Sequence, residues 1–177
     1  MHASGRGSGL WTELGGPLWG LLPALAGLPW LLWGGMGSVG VRGSFLLCAC
    51  LMASFDLAVR RIPNRLCLVT ALAGVLLSAA VGGWSGLGAA LAGGLVAFGL
   101  MLPFHLWGAV GAGDVKGLGA LGCFLGFWGA LHLFLYTVLA GGLLAGLWLA
   151  AGRARGELPY GLALAGGALA TVLSGGL

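Results

Sequence analysis

The 177-residue chain is 59% hydrophobic and 7% charged, and its mean hydropathy is +1.05. This composition excludes an ordinary soluble globular domain and points to a protein embedded in a lipid bilayer. The formal net charge of +4 is better explained by membrane topology than by nucleic-acid binding, because basic residues gather on the cytoplasmic side of membrane proteins.

Seven apolar stretches follow one another along the chain, separated by polar residues. Each approaches the roughly 20 residues that a helix needs to cross hydrocarbon. The sequence therefore predicts an all-α, polytopic transmembrane helical bundle of six to seven spans. The 38 glycines are interleaved with Leu, Ala and Trp, which favours closely packed helices. The stretches cover residues 15–34, 43–60, 66–83, 86–107, 115–130, 131–151 and 158–176.

Residues 1–40 form a predicted N-terminal extension, and residues 41–177 form the predicted membrane domain. Pro17, Pro23 and Pro29 interrupt the first stretch, and its tryptophans suit a membrane interface. That stretch either spans the membrane or lies on its surface, and a cleaved signal peptide is a third alternative.

The boundary between the fifth and sixth stretches depends on a single turn signal. No charge follows Lys116 up to Ala151, and Gly126-Phe-Trp-Gly129 is the only plausible turn. Two short spans are favoured over one overlong helix.

The basic residues fix the orientation of this seven-span map. All but Arg42 fall on one face, which should be cytoplasmic, and the four acids fall on the same face. The predicted location is the inner (cytoplasmic) membrane. The basic residues of that face are Arg6, Arg60, Arg61, Arg65, Lys116, Arg153 and Arg155.

Cysteine and histidine show no metal or redox pattern. The four cysteines form no C-x-x-C pair and are interpreted as apolar packing residues. His105 and His132 are interpreted as solvated interfacial side chains. We expect neither a metal nor a cofactor. The cysteines are Cys48, Cys50, Cys67 and Cys123.

Asp56 and Asp114 are the two aspartates near the membrane edge. Asp56 lies about two helical turns before Pro63, and taken alone it is best explained as an i,i+4 partner of Arg60. Asp114 follows Gly111-Ala-Gly113, and taken alone it is best explained as the N-cap of the next helix.

Together the two aspartates point to chemistry, because both lie at the cytoplasmic ends of predicted spans. Ionisable groups at the membrane are costly and often mark a site. Two carboxyls in one low-dielectric site tend to share a proton, as the catalytic pair of an aspartic protease does. Gly111 and Gly113 allow backbone conformations denied to other residues, and they are expected to let an extended substrate strand pass close.

Two motifs resemble those of the prepilin peptidases, in particular the short single-function form. Asp56-Leu-Ala-Val-Arg-Arg-Ile-Pro-Asn64 is similar to the first aspartate motif of that family, and Gly111-Ala-Gly113-Asp114-Val115-Lys116 is similar to its Gly-x-Gly-Asp motif. Leu158-Pro-Tyr-Gly161 resembles the Pro-aromatic-Gly entry to the last span. The resemblance covers about Gly43 to the C-terminus.

The resemblance implies an aspartyl endopeptidase with Asp56 and Asp114 as the catalytic pair. It implies cleavage of the basic leader of a prepilin or pseudopilin at the cytoplasmic face. Arg60, Arg61 and Lys116 also match family positions, as substrate-binding or loop residues together with the motif glycines, although positive-inside anchoring explains their charges equally well.

The chain departs from the family pattern in three places. It has no cysteine-rich cytoplasmic section of the kind that the bifunctional members carry, so N-methylation of the trimmed pilin is not expected. Residues 1–40 extend beyond the short form, and Gly117 stands where a larger apolar residue is usual. These differences bear on helix count and packing.

Two other functional classes are compatible with a pair of membrane-edge aspartates. In a proton or cation transporter the pair would form a relay, and in a non-catalytic assembly protein of a pilus or secretion system it would only support the fold. The absence of another acid at a mid-membrane position argues against the relay. Membrane lipids are expected partners in all three classes.

Overall fold

The computed structural model describes residues 38–152 and 160–175. Its elements are α1 (Ser38–Val59), α2 (Asn64–Leu106), α3 (Ala112–Gly122), α4 (Gly126–Ala150) and α5 (Tyr160–Leu173). All regular structure in these two ranges is helical, which confirms the all-α part of the predicted fold class. The predicted helix within residues 15–34 lies outside the described residues.

Helix α1 ends where the predicted first motif changes from apolar to charged residues. Arg60 follows with a left-handed backbone (φ 54°), and its N–H donates to the carbonyl oxygen of Asp56 at 2.8 Å. Pro63 then begins the next helix as its N-cap, with an extended ψ of 134°. The segment from Arg60 to Pro63 therefore turns the chain from α1 into α2.

Helix α2 has 43 residues but is not straight. Gly83 has φ 57° and ψ −137°, which breaks the helix in the middle. Such positive φ values cost glycine little, because it has no Cβ. The chain reverses there: a Cβ on Gly86 would collide with the carbonyl oxygen of Ser78, whereas residues eight apart on a straight helix are about 12 Å apart. Helix α2 is thus a hairpin of two antiparallel arms.

The short helix α3 packs against both arms of this hairpin. On the first arm, the Ser78 hydroxyl donates to the Cys123 carbonyl oxygen at 3.2 Å, just after α3 ends. On the second arm, Gly93 and Ala97 contact Gly122, where a Cβ would come within 2.7 Å of the Ala97 Cβ. Small residues are what allow helices to approach so closely.

Helices α4 and α5 form the other half of the bundle. A Cβ on Gly167 of α5 would lie 2.8 Å from the Thr137 backbone nitrogen on α4. Helix α1 packs mainly on α5. Every helix contributes to the common core, whose largest fully buried apolar side chains are Phe45, Met52, Met101, Leu118, Leu121, Leu133, Leu164 and Val115.

Three of the described helices are long and apolar enough to cross a membrane: residues Gly40–Val59, Asn64–Leu106 and Gly126–Ala150. The break at Gly83 falls between the predicted stretches 66–83 and 86–107, and 43 residues amount to about 64 Å of helix, roughly twice the hydrocarbon thickness. The count of six to seven spans is not confirmed and stays a prediction.

The turn predicted at Gly126–Gly129 is wrong by a few residues. The chain turns at Cys123–Leu125, and α4 already begins at Gly126. The physical reason is that Gly126 provides the positive φ of 66° at this corner, so Gly129 is left as a buried helical residue. Helix α3 is then only about 16 Å long, half the hydrocarbon thickness, and a full span over residues 115–130 is not confirmed.

Candidate active site

Asp56 lies in the last turn of α1 and is 8% exposed. Its Oδ2 accepts a hydrogen bond of 2.7 Å from the backbone N–H of Gly161, in the first turn of α5. The two residues are 105 positions apart in the sequence. The orientation of the Asp56 carboxyl is therefore set by tertiary structure.

Asp114 is the third residue of α3 and is 9% exposed. The N-cap of this helix is Gly111, and the Asp114 N–H donates to the Gly111 carbonyl oxygen at 3.1 Å. The interpretation of Asp114 as an N-cap is therefore wrong, because α3 begins three residues earlier than that interpretation required. A carboxylate in a first helical turn is still favoured by the helix dipole.

The motif glycines serve a different purpose from the one predicted. Gly111 has φ −69° and ψ 150°, and Gly113 lies within α3 with no positive φ. The expected special backbone conformation is therefore wrong. Gly111 leaves space for the carboxyl, because a Cβ there would lie 3.0 Å from Asp114 Oδ2. A Cβ on Gly113 would make an ordinary contact of 3.4 Å with the Ile62 Cβ.

Ile62 and Gly117 bring the two sequence motifs together. Ile62 belongs to the Ile-Pro-Asn segment and packs on Gly113 of the second motif. A Cβ on Gly117 would lie 3.2 Å from Met52 Sδ on α1 and 3.6 Å from Leu164 Cδ1 on α5. Gly117, where the family usually has a larger apolar residue, therefore lets α3 approach α1 and α5.

The two carboxyls interact electrostatically. The pKa of Asp114 is raised from 3.8 to about 6, chiefly by burial and secondly by the negative charge of Asp56, while a hydrogen bond with the Gly111 backbone partly opposes both. Tyr160, at the start of α5, has its pKa raised to about 12, chiefly by burial and secondly by the charge of Asp114. Asp56, Asp114 and Tyr160 thus lie at the same end of the bundle.

A family comparison decides the class of protein. The model of the type IV leader peptidase family matches residues 43–146, a range that contains α1 from Gly43 onward, both aspartates and most of α4. The chain belongs to this family. Comparisons with curated proteins and with solved structures found no match.

Membership of the leader peptidase family confirms the resemblance found in the sequence and indicates a peptidase acting on a prepilin-like protein. The match ends before α5. The backbone donor to Asp56 therefore lies outside the matched range.

The remaining candidate residues of this leader peptidase lie around the same end. Lys116 Nζ donates to Asn64 Oδ1 at 3.0 Å, joining α3 to the start of α2. Arg60 and Arg61 are exposed in the segment after α1. Each of the three cations follows one of the two aspartates within five residues along the chain.

The histidines of this peptidase have structural surroundings. His105 Nδ1–H donates to the Val110 carbonyl oxygen at 2.9 Å and ties the end of α2 to the segment before Gly111. His132 stacks on Tyr136, with ring centroids 6.3 Å apart. No group of three or more potential metal ligands occurs within the described ranges.

Gly161 is the site residue that sequence reasoning missed. The sequence marks its motif only as a resemblance at the entry to the last span. The signal available was Pro159-Tyr-Gly161, a turn-forming sequence directly before an apolar helix. Nothing in that pattern indicated Asp56 as its partner.

Proposed function

We propose that this chain is an aspartyl endopeptidase that removes the basic leader of a prepilin or pseudopilin, with Asp56 and Asp114 as the catalytic pair. The observation that carries the proposal is the electrostatic pairing of these two buried carboxyls at one end of the bundle. Membership of the leader peptidase family supplies the substrate class.

The chemistry follows from a pair that holds one proton. An ionised carboxylate takes a proton from water as the water oxygen bonds to the scissile carbonyl carbon, while the neutral carboxyl protonates the carbonyl oxygen. A buried carboxyl whose pKa is raised to about 6 is suited to the neutral role, because it keeps a proton that an ordinary aspartate loses near pH 4.

The cytoplasmic face and the lack of N-methylation are part of the proposal. Arg60, Arg61 and Lys116 follow the two aspartates closely in the chain, and basic residues at a membrane edge favour the cytoplasmic side. Resemblance to the short single-function form supports leader cleavage without methyl transfer. The inner membrane is the corresponding location.

The test is cleavage of a prepilin-like substrate in membranes that contain the full chain. Asp56→Asn and Asp114→Asn should each abolish the conversion of leader-bearing to mature substrate on a gel, because asparagine cannot exchange the protons. Ser54→Ala is a matched control, since Ser54 is an exposed side chain on the same helix whose hydroxyl donates locally to the Cys50 carbonyl oxygen.

Substantial processing by either aspartate variant would overturn the proposed pair. Loss of ion flux with intact processing would instead favour the transporter alternative. If neither variant changed processing or ion flux, the result would favour the third class, a non-catalytic assembly protein.

A further inference from the structure

The first turn of α5 is in direct contact with Asp56. The Gly161 N–H donates to Asp56 Oδ2 at 2.7 Å, and the bond is buried. The first backbone N–H groups of a helix have no partner within the helix and lie at its positive end. The bond therefore joins a free main-chain donor to a carboxylate oxygen, which is a strong type of hydrogen bond.

Only glycine fits at position 161 with Asp56 in its observed place. A Cβ there would lie 2.6 Å from the Asp56 Cβ, 3.0 Å from Oδ2 and 3.1 Å from the Ala53 Cα. The last of these atoms belongs to the backbone of α1 and cannot move aside without moving the helix. A side chain at position 161 must therefore displace either the carboxyl or α5.

The two carboxyls have different surroundings. Asp56 receives a main-chain donor from a second helix, and such a bond favours the charged form of a carboxyl. Asp114 also lies in a first helical turn, yet burial and the charge of Asp56 outweigh that effect and raise its pKa to about 6. This difference would place the single proton of the pair on Asp114.

We propose that Gly161 is a positioning residue, whose backbone N–H holds Asp56 as the ionised, water-activating member of the pair and leaves Asp114 as the neutral acid. This inference rests on the proposed function. It adds the start of α5 to the active site and assigns a separate role to each aspartate.

The assigned roles give a balanced reaction. Asp56 takes a proton from water as the C–O bond forms, and Asp114 gives its proton to the carbonyl oxygen, producing a tetrahedral diol. Asp114 then takes a proton back from one diol hydroxyl, and Asp56 gives its proton to the leaving nitrogen as the C–N bond breaks. Water and peptide are consumed, an acid and an amine are formed, and both side chains return to their starting state.

The first test is Gly161→Ala in the full chain, with Gly166→Ala as the matched control. A Cβ on Gly166 would meet only the Ala140 Cβ, at an ordinary 3.6 Å. Gly161→Ala should lower kcat at least about tenfold, the size expected when a hydrogen bond to a charged group is lost. KM should change little, because the substrate contacts are not altered.

The second test removes the donor without adding any atom at the crowded side. Replacing the Gly161 amide by an ester, with glycolic acid in place of glycine, exchanges the N–H for an oxygen atom that cannot donate a hydrogen bond. The same replacement at Leu162, which is the next residue of this turn and is 39% exposed, is the control. The ester at Gly161 should lower kcat and move the acid limb of the kcat/KM profile to higher pH, because the pair of carboxyls has lost a hydrogen-bond donor to its charged form.

The acid limb of the kcat/KM profile also depends on the other ionisable groups near Asp56. These are Asp114 and Lys116 on α3, Tyr160 on α5, and Arg60 and Arg61 in the segment after α1. None of these side chains is changed by an ester at Gly161. If the ester only reduced the amount of folded enzyme, kcat/KM would fall by the same factor at every pH, and the acid limb would stay at its original pH.

The outcomes separate this inference from the proposed function. Cleavage that survives Asp56→Asn would overturn the function itself. Two outcomes would overturn only the role of Gly161. In the first, cleavage is lost in Asp56→Asn but is unchanged in Gly161→Ala. In the second, the acid limb of the ester variant does not move.

Discussion

The two candidate catalytic residues are held in place by different halves of the molecule. Asp114 lies on α3, which packs into the hairpin of α2 through Gly93, Gly122 and neighbouring small residues. Asp56 lies on α1, and its carboxyl is oriented by α5. The candidate active site therefore joins two aspartates that are supported by different neighbouring helices around one common core.

The difference lies in how far each support is from the aspartate along the chain. For Asp114 the nearest supports are in its own motif, since Gly111 caps α3 and leaves room for the carboxyl. For Asp56 the support comes from a helix more than a hundred residues later. Substitutions near Asp114 should therefore lower the stability of the folded protein, because they disturb the packing of α3 in the hairpin. Substitutions near Asp56 should instead lower kcat, because they disturb the orientation of its carboxyl.

The largest expected effect is on the hairpin half. A Cβ on Gly122 would lie 2.5 Å from the Gly93 carbonyl oxygen and 2.7 Å from the Ala97 Cβ. Because the obstructing oxygen belongs to the backbone, Gly122→Ala should destabilise the folded protein by about 1–3 kcal/mol, the usual cost of overpacking. Thermal unfolding of the detergent-solubilised protein measures this loss.

Gly99→Ala is the matched control for that variant. Gly99 lies on the α2 hairpin against which Gly122 packs, and a Cβ there would meet nothing within 4 Å. Its unfolding temperature should equal or slightly exceed that of the unmodified chain, because alanine favours helix over glycine. Equal unfolding temperatures for the two variants would contradict the close packing of α3 in the hairpin.

These supports differ in how readily the sequence indicates them. Apolar stretches gave the helical membrane class, and the Gly-x-Gly-Asp and Ile-Pro-Asn motifs marked both aspartates, because composition and motif spacing are local properties. The start of α3 is harder to predict, because glycines at positions 111 and 113 are typical of a loop. In the structure the chain already enters α3 there. The contact of Gly161 with Asp56 depends on the packing of α1 against α5, which no local pattern contains.

A smaller effect is expected on the other half, where activity rather than stability should change. A Cβ on Gly141 of α4 would lie 2.8 Å from Tyr160 Cε2 and 3.1 Å from its hydroxyl oxygen. The obstructing atoms belong to a side chain rather than to the backbone, so Gly141→Ala should leave the fold intact. Because Tyr160 is the first residue of α5, its displacement should shift the start of that helix and with it Gly161. Small displacements of catalytic groups are costly, and we expect kcat to fall by up to about tenfold.

The control for this variant is the neighbouring Gly142→Ala, because a Cβ on Gly142 would meet nothing within 4 Å. Its kcat should match that of the unmodified chain in the same cleavage assay. If Gly141→Ala instead lost stability and kept the kcat of the folded fraction, α4 and α5 would support the fold without orienting the pair, and the contrast between the two halves would disappear.

The finest test concerns the interaction between the two halves at the aspartates themselves. In Asp56→Asn the negative charge that raises the pKa of Asp114 is gone, so that pKa should fall below about 6, while burial keeps it above 3.8. The infrared band of the protonated carboxyl, followed against pH, measures this shift, and its absence in Asp114→Asn assigns the band.

The same pKa sets the pH range of the unmodified enzyme. As pH rises through about 6, Asp114 loses the proton that its role as neutral acid requires, so kcat/KM should decline on the alkaline side of that value. Because the proton belongs to an interacting pair, the limb reports the pair as a whole. An infrared band that titrates at the same pH with and without the Asp56 charge would mean that the two halves present independent carboxyls, since a shared proton requires each carboxyl to sense the other.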